Sequence, residues 1–260
     1  MPEGNRRMNR LKNLTHGFVT GFLSFLLLWE LLYLLLHTHT IPAPTETLIY
    51  VLNHSKIILM HCLASLLRVL TAVSISLSIG VISGILLGLN RTCKRLFSPL
   101  LYFLYPIPKV AFLPVFMLLF GLGNTSKILL VIWIIVFQIV LSVRDGVEQI
   151  TPYYFKVMDS FCVTRVQRYR YLILPAILPQ IFSGLRISIG ISLASLFFAE
   201  NYATAYGIGY YILSAWTKMN YVEMFSGILA LGFEGIILFG ILDRLEMRCA
   251  PWSKKERNRK

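Results

Sequence analysis

The side chains able to do chemistry in this sequence are few, and most sit in apolar company. Glu30, Lys109, Arg186, Glu200 and Glu234 each interrupt or end a run of hydrophobic residues. A charge in such a run is costly, so each invites a functional reading as a pathway residue, an ion-pair partner or a subunit contact. Glu30 reads as half of a structural pair, and Arg186 as a long side chain able to reach the interface. Glu200 and Glu234 are the better candidates for lining a pathway or a subunit interface. Lys109 joins them because Pro99, Pro106, Pro108 and Pro114 break the run around it, and broken helices often line substrate sites. Kinking for packing is the competing reading of those prolines.

The remaining chemistry is thin. His37 and His39 form a close pair at the end of the first apolar run, with no third ligand at metal-binding spacing, and read as interfacial residues. Cys62, Cys93, Cys162 and Cys249 lie far apart with no C-x-x-C spacing and read as structural thiols. Gly121-Leu-Gly123 and Gly207-Ile-Gly209 lack the lysine and hydroxyl residue of a phosphate loop and read as turns. No Walker sequence occurs. The expectation is therefore a chain with no catalytic residues, no metal and no cofactor of its own.

The elements that must position these residues follow from composition. Of 260 residues, 56% are hydrophobic and only 14% charged, against about 25% charged in soluble domains. A soluble domain of this size could not hide that much apolar surface. A membrane span needs about 20 apolar residues, and six runs approach that length: 17–37, 70–89, 97–119, 128–143, 177–199 and 224–242. The first follows four basic residues as a signal peptide would, but it is long for one and no A-x-A site follows, so it is expected to remain as a span. The expected fold is all-α and polytopic, with about six transmembrane helices over residues 17–247, a tail at 1–16 and a basic tail at 248–260. Lys127 is expected to snorkel to the interface and lengthen the short fourth span.

The net charge of +13 is not a nucleic-acid footprint, because the basic residues cluster in short connectors. Alternate connectors and both tails hold twenty Lys and Arg against three on the other side, which places both termini in the cytoplasm of a cell (inner) membrane. Anionic membrane lipid is the implied contact.

One cytoplasmic connector is long and patterned. Thr151 before Pro152 reads as a helix N-cap with proline at the first position. Phe155, Met158, Cys162, Val166 and Tyr169 recur at helical spacing, and Thr164-Arg-Val-Gln167 fits a capping box. Two short helices with a break near Cys162 are expected, an elbow over about 151–170. Its apolar stripe either packs on the protein's own spans or docks a soluble partner.

At this elbow the sequence resembles the cytoplasmic loop of binding-protein-dependent ABC importer permeases. The resemblance lies in Lys156-Val-Met-Asp-Ser-Phe-Cys162, Arg165-Val-Gln-Arg-Tyr-Arg and Leu174-Pro-Ala-Ile-Leu-Pro179. Further segments look like the nitrate/sulfonate/taurine branch: Trp29-Glu30, Ala64-Ser-Leu-Leu-Arg68, Pro106-Ile-Pro-Lys-Val-Ala-Phe-Leu-Pro114, Phe120-Gly-Leu-Gly-Asn124, Ser183-Gly-Leu-Arg186, Ala199-Glu200 and Gly207-Ile-Gly-Tyr210. The resemblance implies a type I ABC importer permease fold and the division of labour of that family: two permease copies forming a homodimeric pathway for a small solute, two ATPase subunits docked on the elbows and holding the ATP, and an extracytoplasmic solute-binding protein. It implies that Phe155, Lys156, Val157, Met158, Asp159, Phe161, Cys162, Thr164, Arg165, Gln167 and Arg168 face the ATPase. The sequence departs from the family signature at four points. Lys156 stands at its glutamate, Val157 and Met158 at its alanines, and Cys162 at its glycine. A cysteine there either takes up left-handed backbone at about 1–2 kcal/mol or turns the chain differently. The alternatives are a stand-alone secondary carrier, for which no charge pair across matching spans speaks, and an integral membrane enzyme, for which no cluster of His, Asp or Ser is visible.

Overall fold

The computed structural model describes residues 3–36 and 38–252, with side chains described from Thr20 onward. His37 and the basic residues of 253–260 lie outside the described residues, as do the side chains of the basic residues before Thr20. Among the described residues eleven α-helices follow one another: α1 (Glu3–Leu36), α2 (Pro44–Asn53), α3 (Ser55–Leu89), α4 (Arg91–Leu104), α5 (Leu113–Phe120), α6 (Asn124–Glu148), α7 (Pro152–Ser160), α8 (Arg165–Arg168), α9 (Leu174–Glu200), α10 (Ile208–Thr217) and α11 (Tyr221–Cys249). There is no strand among the described residues.

Among the described residues four helical stretches are long and apolar enough to cross a membrane: α3, α6, residues 165–200 and α11. The pair α4 and 109–120, bent by 88°, is apolar enough to make a fifth when its two arms are taken together. The apolar part of α1 with described side chains, Thr20–Leu36, is a shorter helix. The spans overrun their sequence-predicted limits. α3 begins fifteen residues before Leu70, and α6 extends the 16-residue run at both ends to 25. Lys127 accounts for one of those extensions, though not by snorkelling. It turns inward, is 1% exposed, and donates to the carbonyls of Leu122 (3.1 Å), Gly123 (3.3 Å) and Ala203 (3.2 Å).

The core lies between α3, α6 and α9, built on Val69, Ile135, Ile139, Val143, Ile177 and Leu185 among others. On α3, Ser76, Gly80, Gly84 and Gly88 recur every fourth residue and so share one face. That face meets α6 with no room to spare. A Cβ added at Gly84 would lie 2.6 Å from Val143 Cβ and 2.9 Å from the Val140 carbonyl oxygen. Small residues that let backbones approach are what holds helices together where lipid removes the hydrophobic drive. α9 meets α6 the same way: an added Cβ would lie 2.7 Å from Ser142 at Gly184 and 2.9 Å from Gln180 at Gly146. The outer surface is apolar: Leu27, Leu35, Phe103, Leu118 and Leu119 are all largely exposed, as a lipid-facing surface requires.

Local chemistry fixes the breaks. The Asn90 side chain accepts from the backbone N–H of Thr92 (2.9 Å) and Cys93 (3.3 Å), ending α3 and capping α4. Pro106 and Pro108 stop α4, a 3-10 turn over Lys109–Phe112 follows, and Gly121, at φ 81°, ends α5.

Candidate functional site

The elbow forms as two helical pieces. α7 starts with Pro152 at its first turn, but Thr151 at the N-cap position makes no side-chain cap hydrogen bond, so proline alone sets the start. The chain then turns at Cys162, whose φ of 50° places a non-glycine residue in left-handed backbone. Of the two possibilities open from sequence, the structure takes the strained one. Thr164 and Gln167 form the expected capping box, the Gln167 side chain accepting from the Thr164 N–H at 2.8 Å. Arg168 pairs with Asp159 across the corner, fastening α8 to α7.

Two features depart from expectation. α8 is not a separate helix: a π-helical turn over Tyr169–Ile173 carries it straight into α9, so residues 165–200 run on as one helical rod. The apolar stripe also divides. Phe155 packs against the core between the spans, whereas Phe161 is 76% and Val166 74% exposed. Lys156, Thr164, Arg165 and Gln167 are exposed as well, while Val157 and Met158 are half-buried.

At the opposite end of the same rod, four sequence-distant segments converge. Glu200 is fully buried. Its carboxylate accepts from Ser65 Oγ (2.8 and 2.9 Å), from the Gly209 N–H (2.9 Å) and from the Arg68 guanidinium, with which it forms an ion pair. Arg68 Nε donates to Asn124 Oδ1 at 2.9 Å. The Gly207 N–H donates to His61 Nδ1 at 3.1 Å, and the Ile208 N–H to Ser65 Oγ at 2.8 Å. Gly207 must be glycine here, since a Cβ would lie 2.4 Å from Glu200 Cδ. An open cavity of about 490 Å³ adjoins the network, lined by Met60, Leu67, Arg68, Asn124 and Tyr206 among others. A buried ion pair holds only when its remaining lone pairs are met, and those on Glu200 are met on both oxygens.

The other charged candidates lie between these ends. Glu234, close to the middle of α11, is 6% exposed, and neither carboxylate oxygen has a hydrogen-bond partner. Lys109 stands at the 88° bend. Arg186 pairs with Asp243 and, at 3.0 Å, with Glu246, binding α9 to α11.

The segments brought together are thus Ala64–Arg68, Gly121–Asn124, Ala199–Glu200 and Gly207–Gly209. The family model described as the binding-protein-dependent transport system inner membrane component matches residues 76–250. The taurine transport system permease protein TauC of Escherichia coli is 32% identical over 192 residues, 74% of this chain and 70% of that protein. The chain belongs to this permease family. The bicarbonate transport system permease protein CmpB of Synechococcus elongatus is 32% identical over 85% of this chain and 84% of its own. The formylaminopyrimidine transport permease protein ThiX of Halalkalibacterium halodurans is 27% identical over 90% and 95%.

As an ABC importer permease, the protein is a multi-pass inner-membrane subunit and not itself an enzyme. The ATPase is a separate subunit, and a binding protein is its other partner. The stand-alone carrier and the membrane enzyme fall away. Sequence reasoning singled out Glu200 in this permease but missed its partners Ser65 and Arg68. The signal was available, because Ala64–Arg68 and Ala199–Glu200 both stood among the family-like segments, 132 residues apart from Arg68 to Glu200.

Proposed function

We infer that this permease imports a small polar solute as a homodimer, with both termini in the cytoplasm and α7–α8 as the docking surface for its ATPase. One observation carries the docking assignment. The elbow is a rigid corner whose Phe155 anchors it to the core while Phe161 and Val166 point away, uncovered, and it continues without a break into the rod that ends at Glu200. A corner built this way transmits force in place of absorbing it. ATP-driven closure of two docked ATPases draws the paired elbows together and tips the spans between inward- and outward-facing arrangements. The twenty-to-three distribution of basic residues supports the orientation, with the elbow on the cytoplasmic side. Residues 151–170 then form the docking elbow, 1–16 and 248–260 the flanking tails, and anionic lipid the contact of the basic connectors.

The relatives are named for taurine, bicarbonate and formylaminopyrimidine, so membership alone leaves the solute open within small polar molecules. Lys156 presents a positive charge, which calls for an ATPase groove with an acidic or neutral lining at that point. The test is co-purification of the permease from membranes with its ATPase subunit. Reversing the exposed charges, Lys156→Glu with Arg165→Glu, is expected to weaken retention about tenfold or more, from two lost charge-assisted contacts. Undiminished retention after that change, and after deletion of 156–168, would sink the docking assignment.

A further inference from the structure

The network at Glu200 is complete toward the protein and unfinished toward the cavity beside it. Arg68 is buried, yet its guanidinium lines that cavity of about 490 Å³. Its Nε donates to Asn124 and its Nη1 to Glu200, while Nη2 makes no hydrogen bond among the described residues. Asn124 lines the same cavity, and with its Oδ1 taken by Arg68 it has an amide N–H group to spare. This end of the cavity therefore offers donors.

Its charge is positive as well. Arg68 and Glu200 cancel, but Lys127 stands within electrostatic reach of both and pairs with no carboxylate among the described residues. Its three carbonyl acceptors call for three N–H donors, which only the ammonium form possesses. Two cations against one carboxylate leave one positive charge unmatched beside the cavity.

Depth and lining say which acceptor fits. α6 starts at Asn124 and α9 ends at Glu200, and with 25 and 27 residues each is long enough to cross a hydrocarbon layer of about 30 Å. Those two ends, with Arg68 bonded to both, lie at headgroup depth. The rest of the lining is largely apolar, with Leu67 at the mouth and Ile128 one turn further into the span. Leu63, Leu67 and Leu70 make a leucine strip along the exposed face of α3, a surface suited to hydrocarbon and not to a water-filled path.

We propose that this cavity binds an anionic phospholipid, its phosphate accepting from Arg68 Nη2 and the Asn124 amide and its acyl chain running inward past Leu67 and Ile128. The lipid then braces the network in which the long rod ends. That it comes from the outer leaflet rests on the orientation proposed above; the site itself does not.

The test uses the full chain in mixed micelles, its four cysteines replaced by serine and a bimane fluorophore placed on Leu67→Cys. Ile82→Cys, on the same helix and exposed to the same degree (63% against 65%), is the control. Quenching by phosphatidylglycerol brominated in its acyl chains is compared with quenching by phosphatidylcholine brominated likewise. A preference of about tenfold for phosphatidylglycerol is expected at Leu67→Cys, from one unmatched charge in a partly hydrated site, and none at Ile82→Cys. Ala64→Phe and, at the rim, Met60→Trp fill the cavity and lie outside the ion-pair network, and each is expected to remove the preference. Phosphatidylglycerol is expected to raise the melting temperature of the unfilled chain and not that of the filled variants. Equal preference at the two reporters, or a preference that survives both fillings, overturns the proposal. So does a Leu67→Cys reporter quenched by aqueous iodide and not by lipid, the sign of a water-filled path, or one reached by neither, the sign of a second copy seated there. Loss of the preference on adding glycerol phosphate would assign the donors to a soluble phosphate and overturn the lipid site. No ATPase is present, so each of these outcomes leaves the docking assignment untouched.

Discussion

Glu200 shows what a buried charge costs and what offsets it. Breaking such a pair on one side leaves an uncompensated carboxylate, so Arg68→Met is expected to lower the stability of the purified permease by about 3–5 kcal/mol. The double change Arg68→Met with Glu200→Leu is expected to recover part of that loss, because both charges go together; thermal unfolding in detergent reads both, and equal losses in single and double variants would contradict the pairing. Gly207→Ala belongs to the same network. Its Cβ would meet the Glu200 carboxyl carbon at 2.4 Å, so a loss of about 1–3 kcal/mol is expected. Glu234 is the opposite case. With no donor on either oxygen, Glu234→Gln removes no hydrogen bond, and a midpoint of unfolding at or above that of the unaltered chain is expected.

Among the helices, the α3 face of Gly80, Gly84 and Gly88 lets α3 seat directly on α6. Gly84→Leu is expected to prevent α3 from seating on Val140 and Val143, seen as loss of a cooperative unfolding transition or of detergent-stable protein. At the elbow, Cys162→Gly relieves left-handed backbone and is expected to stabilise the corner by about 1 kcal/mol, read as slower hydrogen exchange of the 152–168 amides. Much of this level was legible in the sequence. Apolar length gave the location of the spans, and Thr164 with Gln167 gave the start of α8, because both signals are local. The end of the elbow was not legible: a capping box announces where a helix begins, and nothing in Tyr169–Ile173 announces that a π turn will carry it onward into α9. The inward turn of Lys127 was hidden for another reason, since its third acceptor, the Ala203 carbonyl, is 76 residues away.

For the molecule as a whole, the proposed orientation puts Cys162 and Lys218 on opposite faces of the membrane. In intact cells a membrane-impermeant maleimide is expected to label Lys218→Cys and spare the native Cys162, and the pattern is expected to invert in inside-out vesicles; equal labelling from one side would contradict it. The continuity of residues 165–200 has a mechanical consequence. Gly184, wedged against Ser142, lies near the middle of this rod: nineteen residues, about 28 Å, separate it from Arg165, and sixteen, about 24 Å, from Glu200. That wedge is a fulcrum between two arms of nearly equal length. With ATPases docked on the elbows as proposed, a push there arrives at the Glu200 end reversed in direction and little diminished in size, so drawing together on one side of the membrane becomes spreading on the other.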